Sequence, residues 1–229
     1  MCGRYTLARS QQELSERFGV RQLFVDLTPR YNIAPTQKVP IVLTQDEERA
    51  IQIFQWGLIP SWVKDLRAAK PLINARVETL AEKASFKKSL VSRRCIVPAD
   101  GFYEWRKMGT QKQPMFIHGK ENQILGFAGI WDEWKNDEGV PLRTFSIITT
   151  DANKTMAPIH DRMPVILAPD AEALWLDPLN KDPASLICLL GPSPDDLIEM
   201  HEVSPKVNSV KVDSEDCTEP VSQQMRIQF

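Results

Sequence analysis

The segment RCIVPADGFYEWRKMGTQKQPMFIHGKENQILGFAGIWDEWKNDEGVPLRTFSIITT, residues 94–150, decides the fold of this chain. Short runs rich in aromatic and β-branched residues alternate in it with polar turns such as KMGTQKQ and NDEG. Alternation of this kind is typical of strands joined by tight turns. The pattern predicts five strands, at residues 94–99, 101–107, 114–119, 124–131 and 142–150.

Weaker signals flank this segment on both sides. Ser10 and Glu13 form a capping box for a helix over 10–18 that ends at Gly19. PRYNIAPTQ (29–37) is predicted to be an extended loop because of its two prolines. Further strands are predicted at 38–44, 50–57, 164–168 and 201–205, and short helices at 78–90, near 170–176 and after Asp182 and Ser193.

Together these elements predict an α+β fold, a single domain with antiparallel β-sheets forming a barrel-like core flanked by short helices. The domain is expected to span 1–229, although the polar residues after about 210 carry little signal. A chain of 229 residues can bury a large core without disulfides or metals. We find no sequence repeat and no linker.

Composition excludes several classes of protein. The chain has 42% hydrophobic and 25% charged residues, which is typical of globular proteins and excludes disorder. No apolar run approaches a membrane span and the first residues do not resemble a secretory signal, so we expect no membrane partner and a cytoplasmic or nuclear location. The net charge of −2 argues against a globally basic nucleic-acid binder but allows a local basic groove. A monomer is the simplest expectation.

The four cysteines give no metal site. Cys2, Cys95, Cys188 and Cys217 form no CxxC pair and have no histidine at zinc-ligand spacing, so we expect free thiols, no metal and no cofactor. Only Cys2 stands where its position carries chemistry, because removal of Met1 would make it the first residue.

An amino-terminal cysteine carries an amine and a thiol on neighbouring carbons. The amine, with a pKa of about 7.7–8.0, can form a Schiff base with an aldehyde. The thiol can then close onto the same carbon to give a thiazolidine, a ring closure favoured by proximity. The same pair could instead act as an amidase nucleophile with the amine as base. A cysteine at the second codon can also be accidental.

Several polar residues stand in apolar settings. Glu104 lies in the aromatic run GFYEW, where a carboxylate forms either an ion pair at the core edge or an acid/base group in a cleft. His160 precedes an apolar strand, with Asp161 able to orient its ring and Arg162 able to bind an anion. Arg4 places a cation beside Cys2, although a surface salt bridge is the commoner role.

Two features of the sequence suggest contacts with nucleic acid: a pair of polar residues two positions apart and several tryptophans. Asn74 and Arg76 are two residues apart, so in an extended segment their side chains lie on one face, where they could contact a sugar and a phosphate. Trp62 and Trp105 could stack on unpaired bases, whereas Trp56 is better explained as core.

Seven motifs occur in an order that resembles the SOS-response-associated peptidase family, the abasic-site processing proteins. The motifs are MCGR, RYNIAPTQ, WGLIPSW, INARVETL, RCIVPADGFYEW, IITT and IHDRMPVIL. They span residues 1–168 densely, and HEVSPKVNSV extends the resemblance to about 210. Each motif alone is weak, but the ordered set is specific.

The resemblance implies a function and site residues. Cys2, exposed by loss of Met1, would crosslink to the aldehyde of an abasic site in single-stranded DNA through a thiazolidine, which shields the lesion. Asn74 would position the amino terminus, Glu104 would assist Schiff-base formation and His160 would help to open the sugar. The resemblance implies DNA contacts for seven residues: Arg4, Trp62, Asn74, Arg76, Trp105, Thr149 and Arg162. It also implies a peptidase activity, in which Cys2 and Glu104 would take part in removing the leading residue.

Two other functions stay open from the sequence. One is an amidotransferase with an amino-terminal cysteine nucleophile, against which Arg4 stands where such enzymes have an apolar residue. The other is a module that binds single-stranded DNA without covalent chemistry.

Overall fold

A computed structural model describes residues 2–21 and 27–221. The strands are β1 Tyr5–Leu7, β2 Arg30–Ile33, β3 Lys38–Gln45, β4 Glu48–Trp56, β5 Asn74–Arg76, β6 Arg94–Ala99, β7 Gly101–Met108, β8 Gln111–Gly119, β9 Leu125–Lys135, β10 Pro141–Asp151, β11 Arg162–Pro164 and β12 Ile198–Glu202. The helices are α1 Gln11–Phe18, α2 Lys87–Ser92, α3 Pro169–Leu176 and α4 Pro183–Ile187, with short 3-10 turns between elements. None of the described helices is long and apolar enough to cross a membrane.

The strands form two sheets. One has five strands in the order β12-β8-β7-β1-β2, and the other has seven, in the order β11-β10-β4-β3-β6-β9 with β5 added on β10. Most pairings are antiparallel, whereas β10 pairs parallel with β4 and with β5. These observations confirm the predicted α+β class with a barrel-like core and short flanking helices.

Aromatic residues join the two sheets through the core. Tyr5 of the first sheet meets Trp56 and Phe127 of the second edge-on, with ring centroids 5.2 and 6.4 Å apart. Phe102 meets Phe127 in the same way at 5.9 Å. Edge-to-face pairs of this kind add to the energy of burial. The first residue of β7, Gly101, has to be a glycine, because a Cβ there would lie 2.4 Å from the carbonyl oxygen of Ile117 on β8.

Several local predictions are wrong. Residues 30–33 form β2, not a loop, because they pair with β1. The helix predicted over 78–90 is confined to α2, since Leu80 and Phe86 are buried from turns that precede it. Residues 194–197 form no helix. Ser193 is held by the Asn153 side chain, and the chain then leads directly into β12.

The residues after 202 are built into the fold more tightly than their composition suggests. One Asn32 side-chain amide, fully buried, donates to the carbonyl oxygens of Val207, Ser209 and Val212 at 3.2, 3.0 and 2.7 Å. The Asp213 carboxylate accepts the backbone N–H groups of Tyr31 and Asn32. The C-terminal segment, residues 203–217, is thereby fixed over β2 and β7.

Candidate active site at the amino terminus

Cys2 lies inside the fold, with none of its surface exposed. Its carbonyl oxygen accepts a hydrogen bond from Asn74 Nδ2 at 2.9 Å, and its Sγ lies 3.7 Å from the carbonyl oxygen of Arg4. Asn74 is the first residue of β5. Its pairing with Ile147 fixes the register of β5 against β10. The second sheet therefore holds the amino-terminal segment through one amide side chain.

Glu104 approaches the same segment from the first sheet. The backbone N–H of Tyr103 donates to the carbonyl oxygen of Arg4 at 3.0 Å, which places β7 beside residues 2–4. Glu104 is 5% exposed. Burial, and then the charge of Glu104, raise the pKa of the Cys2 thiol far above its ordinary value. The thiol is therefore kept protonated, and the Glu104 side chain lies close enough to act on it electrostatically.

His160 ends the turn before β11. Its Nδ1 accepts the backbone N–H of Arg162 at 3.0 Å and lies 2.7 Å from the Asp161 carboxylate. The Asp161 carboxylate and the Arg162 backbone thus both contact one ring nitrogen and hold the orientation of the imidazole. A role for His160 in the reaction stays a prediction.

The strands β5, β10 and β11 bring three more predicted residues together. Thr149 of β10 pairs with Arg76 of β5 and with Pro164 of β11. Arg76 is exposed, and within the described part of the chain its guanidinium has no hydrogen bond or ion pair. Thr149 is fully buried, and its hydroxyl has no hydrogen-bond partner among those residues.

Arg162 is unlike Arg76 in its surroundings. It is 8% exposed, and its Nη atoms contact Glu78 at 2.5 and 3.0 Å, Asp151 at 2.8 Å and the carbonyl oxygen of Thr149 at 2.6 Å. An incoming phosphate would have to displace a carboxylate. Phosphate binding by Arg162 stays a prediction, as does a DNA contact by Thr149.

Arg4 and Trp105 meet at the C-terminal segment. Arg4 donates to Asn32 Oδ1 at 2.7 Å and to the carbonyl oxygens of Val207 and Asn208, while Trp105 Nε1 donates to Asn208 Oδ1 at 2.7 Å. Both predicted DNA contacts are therefore engaged within the protein. Their contacts with DNA stay predictions.

Trp62 lies in a separate groove, and its surface is 61% exposed. The groove, which we call the Trp62 groove, has a volume of about 530 Å³ and includes Lys64, Lys70 and Leu72 in its lining. Leu72 lies two residues before Asn74 in the chain. An exposed indole beside two lysines suits an unpaired base and its phosphate.

The domain encloses Cys2 between the side chains of Asn74 and Glu104. It therefore belongs to a class of proteins whose candidate site is built on the amino-terminal segment. The family model described as SOS response associated peptidase (SRAP) matches residues 1–210. The chain belongs to that family, which confirms the resemblance seen in the motifs.

Relatives and solved structures agree with this membership. The chain is 44% identical over 222 residues to the abasic site processing protein YoqW of Bacillus subtilis, with 96% of this chain and 99% of that protein covered. It is 34% identical to the abasic site processing protein YedK of Escherichia coli, with 96% and 100% covered. A crystal structure of a protein from Bacteroides thetaiotaomicron matches with a TM-score of 0.88 and 32% identity, covering 96% of this chain and all of that one.

Some residues of the site and its supports carry no signal in the sequence. Asn32 and Asn208 lie within recognisable motifs, but nothing in those motifs shows that they meet around Arg4. Lys64 and Lys70 are two lysines of a mixed loop, and only the fold places them beside Trp62. In the described ranges, no three His, Cys, Asp or Glu residues are grouped to hold a metal ion.

Proposed function

We propose that this chain, once Met1 is removed, binds single-stranded DNA at abasic sites and forms a covalent thiazolidine crosslink through Cys2. The observation that carries the proposal is the hydrogen bond from Asn74 to the Cys2 carbonyl, which holds the first residue of the processed chain beside Glu104. The relatives' printed name, abasic site processing protein, supports the same substrate.

The chemistry begins with hydrolysis of the Met1–Cys2 peptide bond, which releases methionine and leaves a Cys2 amine. An abasic sugar in its open form offers an aldehyde carbon. The amine attacks this carbon, and loss of one water gives a protonated Schiff base. The Cys2 sulfur then bonds to the same carbon while the thiol proton is passed on, so that a five-membered ring forms. The hydrolysis consumes one water, and the condensation of Cys2 with the aldehyde releases one water for each crosslink.

Three residues have roles around these steps. Asn74 positions the Cys2 backbone so that amine and thiol face one carbon. Glu104 acts as acid and base, first in the loss of water and then in accepting the thiol proton. His160 donates a proton to the ring oxygen of the closed sugar and so favours the aldehyde. Raising the pKa of the thiol restrains wasteful thiolate reactions until the aldehyde is present.

The DNA strand is held by charge and stacking. Arg76 offers an unpaired cation at the end of β5, two residues from Asn74. The Trp62 groove supplies an indole face and two lysines. Contacts by single residues with phosphate position a strand without reading its sequence, as a lesion binder requires. Arg4, Trp105, Thr149 and Arg162 complete the proposed interface.

The test is intact-mass analysis after incubation with an oligonucleotide that carries one abasic site. The expected species is the chain without Met1 plus the oligonucleotide minus one water. Cys2→Ser should give no stable adduct, and an oligonucleotide with a tetrahydrofuran in place of the abasic sugar, which has no aldehyde, should give none with either protein. An adduct of full yield with Cys2→Ser would overturn the proposal.

The mass analysis and two further measurements separate the other functions. Binding without any mass change would favour a non-covalent DNA-binding module. Release of ammonia from glutamine would favour the amidotransferase. Removal of Met1 by the chain itself is tested by expressing Glu104→Gln, which should retain Met1 if the carboxylate takes part.

A further inference from the structure

The backbone on each side of Trp62 is hydrogen bonded to a side chain of β9. The backbone N–H of Ser61 donates to Asp132 Oδ2 at 2.8 Å, and Trp134 Nε1 donates to the carbonyl oxygen of Val63 at 2.7 Å. Trp62 itself is 61% exposed. The protein therefore fixes the backbone beneath a large apolar side chain that it leaves in solvent.

This restraint cannot be explained by burial of Trp62. Asp132 is 5% exposed, and its carboxylate is further held by Arg93 and by the backbone N–H of Glu133. Placing a carboxylate in the interior is unfavourable unless its partners compensate it. One of those partners is the loop. Ordering a backbone residue also costs free energy, and an indole that is 61% exposed offsets little of that cost through packing.

A third hydrogen bond anchors the same loop at Ile59, two residues before Ser61. The backbone N–H of Ile59 donates to the hydroxyl of Thr144, which is fully buried on β10, at 2.8 Å. The loop is thus tied to β10 at Ile59, and to β9 at Ser61 and Val63. A ligand that stacks on Trp62 would meet an indole carried on an ordered backbone, so it would not have to order the loop on binding.

We propose that Asp132 and Trp134 are positioning residues for Trp62, which hold its indole ready for an unpaired base without touching the DNA. The inference rests on the proposed function, because it takes Trp62 as a contact to single-stranded DNA. Under this inference, the side chains of β9 contribute to the affinity for single-stranded DNA and take no part in the covalent reaction.

The test is a double-mutant cycle on the affinity for undamaged single-stranded DNA, measured by fluorescence anisotropy of a labelled oligonucleotide. Trp62→Ala should weaken binding by about five-fold, the loss of one stacked base. Trp134→Phe keeps an aromatic ring but removes the indole donor, and should weaken binding by about three-fold. In the Trp62→Ala background, Trp134→Phe should have no further effect.

Trp175→Phe is the matched control. Its Nε1 donates to the carbonyl oxygen of Cys95 at 2.9 Å, a bond of the same kind made far from the loop. It should lower thermal stability and leave DNA affinity unchanged. If Trp134→Phe fails to fold, Thr144→Val removes the anchor at Ile59 and enters the same cycle. Crosslinking at saturating abasic DNA should keep the wild-type rate in Trp134→Phe.

Three results would overturn the inference. One is a loss of affinity from Trp134→Phe that is equally large with and without Trp62. A second is wild-type affinity in Trp134→Phe. The third is normal binding by Trp62→Ala itself, since Trp62 is then not a DNA contact and the positioning role falls with it. Covalent chemistry at Cys2 would be untouched by that result, since the Cys2→Ser mass experiment decides it separately.

Discussion

The Asn74 side-chain amide donates to the Cys2 carbonyl oxygen at 2.9 Å, across 72 positions of the chain. The same side chain has a buried oxygen, Oδ1, that lacks a hydrogen-bond partner among the described residues. An amine formed at Cys2 is a donor, so we expect Oδ1 to receive it. One amide would then hold both ends of the reactive residue.

Asn74→Asp tests this role with little change of shape. A carboxylate would present an acceptor to the Cys2 carbonyl, and repulsion between the two oxygens would displace the residue. We expect the single-turnover rate of crosslinking at saturating abasic DNA to fall about 100-fold, as a displaced nucleophile predicts. Affinity for undamaged DNA should fall much less, and only through the added negative charge near Arg76. A wild-type crosslinking rate would remove Asn74 from the reaction.

Arg76→Ala should weaken DNA binding through charge alone. The side chain is exposed and has no ion pair within the described ranges, so its loss should not lower the melting temperature. The slope of log K against log salt should become shallower by about 0.7, the value for one phosphate contact to a single strand. Arg21→Ala, which removes an exposed arginine paired with Glu48, serves as the control. A slope equal to that of wild type would show that Arg76 contacts no phosphate.

Glu78→Gln should change the pH dependence of stability. Arg162 holds the pKa of the Glu78 carboxyl below its ordinary value, chiefly through their hydrogen bond. A lowered pKa stabilises the fold at pH above the unfolded value, about 4.3, and the contribution is lost as pH falls through the folded value. Since Glu78 is 47% exposed, screening limits the effect to about 1 kcal/mol or less.

The measurement is the melting temperature of both proteins between pH 7 and pH 2.5. Wild type should be the more stable at pH 7, and the difference should shrink as the solution becomes more acidic. A constant difference over this range would mean that the ion pair with Arg162 does not contribute through the charge of Glu78.

Asp213→Ala should destabilise the protein although Asp213 lies near the end of the described chain. It removes the acceptor for Tyr31 N, Asn32 N and Arg30 Nε. Loss of hydrogen bonds to a charged acceptor is expected to lower the free energy of unfolding by about 2 kcal/mol. Urea denaturation measures it. Asp216→Ala, in the next turn, removes only the contacts of that carboxylate with Lys206 and Ser214 near the surface, so it should lower stability much less, and equal losses in the two variants would refute a special role for Asp213.

Local chemistry predicts much of this fold. The Ser10–Glu13 capping box and Gly19 define α1 within one residue, and the aromatic runs of 94–150 define five consecutive strands. The prediction of a helix over 78–90 is wrong before residue 87, because the apolar residues Leu80 and Phe86 are buried from short turns that close on Val77 and Lys83. Apolar residues at helical spacing can lie on one face of a helix or be buried from separate turns, and sequence periodicity cannot distinguish these two arrangements.

The site divides in the same way. The motif order predicted Cys2, Asn74 and Glu104, and the fold places them around one segment. The surroundings of Arg162 were not predictable, because Glu78 reaches it from 84 positions away. The two arginines look alike in sequence, and only the folded structure shows that Arg76 is free to meet an anion while Arg162 is already paired.

The position of Cys2 between two sheets also bears on the order in which the protein assembles. Cys2 can reach its place only after Asn74 and Glu104 have been synthesised and β5, β7 and β10 have formed. Contacts so distant in sequence are slow to form. A partly made or partly folded chain therefore has the cysteine but not the enclosure around it, and its thiol stays open to solvent until the sheets close.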